Sequence, residues 1–570
     1  MKTFDKPGPG DWEITKECRH PFARVVWPLL EASWGSGFKE AAADYGLFFH
    51  TRVGFANGFL YRKTVFFGMS PLRQLCLAPL AVGRGVGWRR VYCEVVLRRA
   101  MRDWFERVNT VFERRPWRKH LATWDDEIKP ALFAEFAKLA DVQPSALDDG
   151  ALAAHLRACA ATFVRAWRLA DAATLTWLIP VGDYLARAQK DTTLSVLDLA
   201  DSMTSSFASW LGPTTGAAAQ EGRQRLAESV SALDDTLPVA EKLERLWEIL
   251  RRTDPELHAR CWVLSFSPVF GFDVVEPSLR EMPAVLFENL RTIIRRVARD
   301  APEPSAEPDP LMELRTEARS VLRVKDEREL LVQGPARGLL RRALLEIGDR
   351  LVARERLAQR DHAFELSIDE AVDLLTRAAD ATVRRRAEEQ HAYRVGTTVD
   401  RAPASLGREK ANFDKMQDAG YAWLPDGANR LFTAFDVAGE WRAGPARARD
   451  RRAAVPAKEN EVIRGIAASA GQYRGRARLV LSGTLAELER IEQGDVLVAP
   501  MTSTTFMPIL SRVSAVVTDL GGPLSHPAIV AREYGIPSVV GCQTATERIA
   551  DGDTVAVDGS RGTVEILGHG

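Results

Sequence analysis

The stretch VVTDLGGPLSHPAIVAREYGIPSVVG, Val516 to Gly541, brings one imidazole to the start of an apolar helix. A β-branched run at Ala515 to Val517 is broken by Gly521 and Gly522, and Ala528 to Tyr534 has helical spacing. Gly535 is a C-cap signal and Pro537 stops the helix. Proline suits the first helical position, where its missing N–H costs nothing, so Pro527 places His526 at the N-cap. The free N–H groups of a helix start form an anion site. Anything negative attached to that imidazole would be cradled there. An unperturbed imidazole has a pKa of about 6.5, so near neutrality it is mostly uncharged and nucleophilic.

Other catalytic patterns are missing. The sequence has no GxxxxGK[ST] loop, no HExxH and no GxSxG. GRGVGW, Gly83 to Trp88, imitates a dinucleotide loop but lacks the final glycine and a preceding strand, and reads as a turn. The remaining histidines show no metal-ligand spacing. Six cysteines without a CxxC pair argue against a disulfide framework and against a zinc module.

These groups must be positioned by more than one domain, because 570 residues exceed what one core supports. Hydrophobic content of 46% and charged content of 27% fit a globular chain with a sizeable core. A formal net charge of +0 gives no electrostatic reason to expect nucleic acid or an anionic membrane as partner. MKTFDKPGPGDWE has no apolar leader core and no later run approaches ~18 apolar residues, so a cytoplasmic location is expected.

Composition changes once along the chain. All 14 tryptophans precede Arg442, and from Arg464 onward short Val-rich strands alternate with glycine turns. Residues 1–440 read as mostly helical, with apolar periodicity over Pro283 to Asp300 and Gly338 to Leu357. APEPSAEPDP, Ala301 to Pro310, is a loop. Residues 441–463 are small, charged and aperiodic, as a mobile linker would be. The expected architecture is multidomain: a mostly α-helical segment 1–440, the linker, and a strand-rich domain 464–570.

TDLGGPLSHPAIVAREYGIPSVVG closely resembles the swivelling phosphohistidine domain of the PEP-utilising enzymes. GQYRGRARLV, GDVLVAPMTSTTFMPIL and DGDTVAVDGSRGTVEIL follow that family's order. The resemblance implies a compact β/β/α domain on a mobile tether, with His526 phosphorylated and relaying the phosphoryl group between two sites. Such transfer needs mainly alignment and charge neutralisation. Ser525 then adds a hydroxyl contact to phosphate, Gly521 and Gly522 let backbone approach it, and Arg532 serves the domain's own packing. Where pyruvate phosphate dikinase has a regulatory threonine two positions before the histidine, this chain has Leu524.

The relay needs a donor and an acceptor. The helical, Trp-rich segment matches neither an ATP-grasp domain nor the TIM barrel of a PEP/pyruvate site. It resembles instead the acceptor domain of rifampin phosphotransferase and the histidine-bearing subunit of phenylphosphate synthase, through ADSMTSS (Ala200 to Ser206), GFDVVEPSLREMP (Gly271 to Pro283) and RALLEIGDRLVARERLAQRDHAFELSIDE (Arg342 to Glu370). In that family an Arg-Glu pair and a further basic residue serve the acceptor hydroxyl. RVKDERE, Arg323 to Glu329, puts Lys325, Asp326 and Arg328 in those places. The Asp326 carboxylate would take the hydroxyl proton and the cations would steady the moving phosphoryl; the same charges also suit a solvated helix face. His20 and Arg24 in CRHPFAR form a second candidate anion clamp.

The reading is a phosphotransferase subunit that uses ATP and Mg2+ through a separate ATP-grasp partner, binds no cofactor itself, and passes phosphate to a small hydroxylated molecule, a phenol first. Alternatives are an antibiotic or natural-product acceptor, and a non-catalytic phosphohistidine carrier whose helical segment binds a protein.

Overall fold

The computed structural model describes the chain apart from residues 1–3, 10, 16–19, 48, 67–90, 92–101, 189–216, 234–235, 269–272, 298–310, 378–379, 408–423, 425, 444–460, 482–484, 503–506, 511, 524 and 570. GRGVGW, ADSMTSS, the APEPSAEPDP loop, Leu524 and most of the expected linker therefore lie outside the described residues. Contacts divide the chain into two compact units. One comprises Met1–Ile179, Phe272–Val275 and Ala336–Phe435; the other comprises Pro180–Gly271, Glu276–Pro335 and Asp436–Gly570. This division cuts across the expected 1–440 segment, because the helix Pro283–Val297 packs against the short helix Met507–Leu510 of the C-terminal domain.

The first unit is largely helical but carries a sheet that the composition reading passed over. Strands β1 (Trp12–Ile14), β2 (Phe49–Ala56), β3 (Phe59–Phe66) and β4 (Ser405–Leu406) form it in the order β2-β3-β1-β4. β2 and β3 make a two-residue hairpin at Asn57-Gly58, whose φ values of 50° and 83° are those of a primed turn. Trp12, Phe59, Tyr61 and Leu406 bury one face of this sheet. Its longest helix, Asp149–Ala172, starts where the Asp148 carboxylate accepts the Ala151 N–H at 2.7 Å and buries Leu152, Leu156, Phe163 and Trp167 on one stripe.

In the second unit the C-terminal domain is built on one eight-stranded sheet. Its strands are β5 (Val462–Arg464), β6 (Ile466–Ser469), β7 (Gln472–Leu479), β8 (Val496–Ala499), β9 (Ala515–Thr518), β10 (Ser538–Val540), β11 (Thr554–Asp558) and β12 (Thr563–Gly568), in the order β5-β12-β11-β7-β8-β9-β10-β6. β5 starts at Val462 and a helix runs through Asp426–Ala443, so ordered elements enter both ends of the expected linker 441–463. β7 to β10 are parallel; their flanks are antiparallel. Every residue of β8 and β9 is buried, as continuous apolar parallel strands require. Val496, Val498, Val517, Val539, Val555, Val557 and Ile566 share one core, while Ala528 of the helix His526–Tyr534 packs on Ala468 and Val540.

A charge cluster pins the start of β8. The Asp495 carboxylate accepts Arg476 Nε at 2.9 Å, Arg478 Nε at 3.3 Å and the Glu492 N–H at 2.9 Å. Burial alone would raise its pKa, but the Glu492 N–H and the two guanidinium groups outweigh that and hold it below the usual carboxylate range. A lowered folded-state pKa contributes stability above the unfolded value of about 3.9 and loses it as pH falls through the folded one. Asp495→Asn is therefore expected to cost about 3 kcal/mol at pH 7 and distinctly less at pH 3. Urea unfolding of both proteins at the two pH values checks this; an undiminished difference at pH 3 would contradict it.

Candidate active site

The site begins at the carboxyl end of β9. Buried Asp519 donates its N–H to Ala499 O at 3.2 Å, and its carboxylate accepts the Thr546 N–H at 3.1 Å and the Thr546 hydroxyl. The Leu520 N–H reaches Pro500 O at 2.9 Å and the Thr518 hydroxyl donates to Leu520 O at 2.7 Å. The loops after β8 and β9 are thus tied together, where parallel sheets place ligands. Gly521 has φ +114°, and a Cβ there would lie 2.8 Å from Ser525 Oγ, so both backbone and space demand glycine. The Ser525 N–H then donates to Gly522 O at 2.9 Å, and Arg532 Nη1 reaches back to Pro523 O at 2.9 Å. Arg532 thereby fastens the glycine loop to the helix that follows.

The helix spans His526–Tyr534, with Ser525 at the N-cap (φ −69°, ψ 155°). The expectation that His526 is the N-cap is off by one residue: Ser525 has the extended N-cap backbone, and His526 and Pro527 open the first turn. The Ser525 hydroxyl nevertheless caps no backbone N–H, and Ser525 Oγ is buried with no hydrogen-bond partner. Both ring nitrogens of His526 are likewise buried and unpartnered. So is Thr502 Oγ1, in the segment after β8, which the sequence reading passed over although MTSTT supplies hydroxyls at a strand's carboxyl end. Polar atoms without protein partners at a helix start can serve as contacts for an oxyanion.

Within the same unit, Asp326 faces this imidazole. His526 Nδ1 lies 3.9 Å from Asp326 Oδ1, and Lys325 Nζ donates to that same oxygen at 2.9 Å. The His526 and Asp326 side chains are 7% and 5% exposed, so the charge of the pair is not screened by water. Both acceptor-side residues sit near the end of the helix Met312–Glu327. Arg328 opens a π-helical turn, Arg328–Gln333, that leads into the helix Gly334–Ala353; such turns re-aim side chains and recur at functional sites. Beside them Arg323 Nη1 grips the fully buried Glu327 carboxylate at 2.8 and 3.0 Å. Burial drives the His526 pKa down to about 3, with Asp326 opposing the shift and Lys325 adding to it. The imidazole is therefore neutral, and a nucleophile, throughout the physiological range.

The other candidate clamp is differently placed. His20 and Arg24 belong to the first unit. His20 Nδ1 is 2.9 Å from Thr397 O. Arg24 is held at 2.5 Å by Glu370, whose N–cap partner is Ser367, and it also donates to Glu365 O. Arg24 is an internal strut between chain segments of the first unit. Among the described residues no group of three or more His, Cys, Asp or Glu side chains is arranged to hold a metal ion, and no helix is long and apolar enough to cross a membrane.

Comparison with known proteins bears on the C-terminal domain. The sequence profile of the PEP-utilising enzyme mobile domain matches residues 491–562, which include the whole glycine loop and His526. Residues 491–562 are thus a PEP-utilising enzyme mobile domain. Its mobile domain region is 50% identical over 112 residues to the phosphoenolpyruvate synthase of Aeropyrum pernix, covering 20% of this chain and 13% of that one. It is also 45% identical over 109 residues to the uncharacterized phosphotransferase YvkC of Bacillus subtilis, covering 19% and 13%. A longer similarity, 30% over 339 residues, links 58% of this chain to 34% of the uncharacterized protein Rv2047c of Mycobacterium tuberculosis. The chain thus spans 34% or less of the length of these relatives.

Acid should loosen the His526 contact first. A histidine whose folded pKa is lowered gives full stability above its unfolded value of about 6.5 and loses it as pH falls toward about 3. The mobile domain's thermal midpoint is expected to fall more steeply between pH 6.5 and pH 4 in the natural protein than in His526→Gln. Parallel slopes in the two proteins would contradict the buried, neutral imidazole. Gly521→Ala is expected to lower stability by roughly 1–3 kcal/mol in the same melts.

Proposed function

We propose that this chain is a phosphotransferase that carries a phosphoryl group on His526 and delivers it to the hydroxyl of a small molecule at Asp326. The single observation that carries the reading is the meeting of His526, Asp326 and Lys325 in a buried pocket of charge, with both imidazole nitrogens unpartnered. The match of residues 491–562 to the PEP-utilising enzyme mobile domain supports the histidine's role. The phosphoryl group then comes from ATP and Mg2+ held by a separate ATP-grasp protein, as the resemblance to the histidine-bearing subunit of phenylphosphate synthase implies.

The chemistry balances without further reagents. The acceptor hydroxyl gives its proton to the Asp326 carboxylate and its oxygen attacks phosphorus. The P–N bond breaks, its electron pair returns to the ring, and Asp326 passes the proton it took to the ring, leaving neutral imidazole and an ionised carboxylate. Lys325, bound to Asp326 while His526 is bare, is close enough to turn toward the phosphoryl oxygens and neutralise their charge during transfer. Because Nδ1 is the nitrogen turned to Asp326, it is the one placed to receive the proton.

A phenol is the acceptor that this base suits best. Its hydroxyl has a pKa near that of tyrosine, about 10, well below an aliphatic alcohol, and resemblance to the histidine-bearing subunit of phenylphosphate synthase points the same way. With an ATP-grasp donor and labelled ATP, the chain is expected to gain acid-labile, base-stable label that His526→Ala lacks. Asp326→Asn should accept the label normally but pass it to phenol at least 100-fold more slowly, the scale of a lost general base. Equal labelling of His526→Ala would sink the carrier role, and undiminished transfer by Asp326→Asn would remove Asp326 from it.

A further inference from the structure

The motif GFDVVEPSLREMP contributes a second set of donors that neither the sheet nor His526 uses. On the helix Pro255–Leu264, Trp262 stacks on His258 with ring centres 6.3 Å apart and planes at 14°. Trp247, from the helix Val239–Thr253, meets both rings at 5.6 Å and 79°. The Arg280 guanidinium lies 3.9 Å over the Trp262 ring and 4.8 Å from that of Phe266. Among the described residues its side chain has one hydrogen-bond partner, Ser265 Oγ at 3.4 Å, and no carboxylate within ion-pair distance. The Trp262 indole N–H is buried and has no acceptor. Arg280 itself is half-buried, and desolvation holds its pKa below the usual arginine value.

An indole N–H without an acceptor, beside a guanidinium whose side chain makes a single long hydrogen bond, leaves a place for an anion. A guanidinium held over an indole face is pre-ordered, and its remaining N–H groups can meet a carboxylate. The half-buried faces of Trp247 and His258 suit a flat ring beside it. Hydrogen bonds tie the shelf to the chain segment that follows Asp326. The Arg280 N–H donates to Ser265 O at 3.0 Å, the Leu279 N–H to Ser267 O at 2.9 Å, and the Ser267 hydroxyl to Leu330 O at 3.4 Å. Leu330 lies in the π-helical turn that opens two residues after Asp326.

We propose that Arg280 and the Trp262 indole N–H bind the carboxylate of the phosphoryl acceptor, so that the preferred substrates are hydroxylated aromatic acids. The assignment rests on the reading of His526 and Asp326 as the transfer site, but its binding step can be measured apart from it. Isothermal titration of the purified chain would compare 4-hydroxybenzoate, phenol and inorganic phosphate. 4-Hydroxybenzoate is expected to bind at least ten-fold more tightly than phenol, and Arg280→Gln is expected to abolish that advantage with little change in thermal midpoint. Trp262→Phe, which keeps the aromatic face but loses the N–H, should weaken 4-hydroxybenzoate and leave phenol unchanged, and it serves if Arg280→Gln does not fold. The proposal is overturned if Arg280→Gln binds 4-hydroxybenzoate like the natural protein, or if phosphate binds as tightly as 4-hydroxybenzoate. His526→Ala should bind the acid normally; such binding without any phosphoryl transfer by the natural protein would defeat the relay and leave the shelf standing.

Discussion

An imidazole stripped of water and given no hydrogen bond is the constraint on which the site depends. Leaving a buried polar group unpaired costs roughly 1–3 kcal/mol, and His526 bears that cost at both nitrogens while Ser525 Oγ adds another unpartnered atom. Such an arrangement persists only where surrounding structure fixes it. The Asp519–Thr546 bonds, the Arg532–Pro523 bond and the glycine at φ +114° do so from the sheet side. The end of the helix Met312–Glu327 does so from the other, with Lys325 and Asp326.

The same contact would set the electrical state of the proposed transfer. A neutral imidazole beside an ion pair of opposite charges feels little net field, so the bare histidine can rest there. A phosphoryl group would bring about two negative charges to the same place, against a carboxylate that shares an oxygen with Lys325. One cation then serves two anions in turn, and its move from Asp326 toward phosphate would free the carboxylate to act as a base. Substituting arginine for Lys325 would be no neutral change, because a planar fork cannot pivot between partners as an ammonium group does.

Much of the C-terminal domain was legible in the sequence because its signals are local. Val-rich runs became buried parallel strands, Gly521 broke β9 where a left-handed φ was needed, and Gly535 closed the helix with φ +66°. The helix start was misplaced by one residue because proline fits the second position of the first turn as well as the first. The hairpin at Asn57-Gly58 carried a strong local signal that the helical bias of its surroundings obscured. Other features had no local signal at all. The approach of Asp326 to His526 joins residues 200 positions apart, and the grouping of Pro283–Val297 with the C-terminal domain is decided by packing alone. The pairing of Arg24 with Glu370 likewise joins residues far apart along the chain.

The central claim is that the phosphoryl group leaves His526 for an acceptor hydroxyl without ATP or donor present. The most direct measurement is a single-turnover chase. The chain is phosphorylated with labelled ATP, freed of donor and nucleotide, and mixed with phenol or 4-hydroxybenzoate while label is followed on protein and product. The account predicts that label lost from His526 appears stoichiometrically as the aryl phosphate. Label that remains on the protein, or is released only as inorganic phosphate at the rate seen without acceptor, would contradict it.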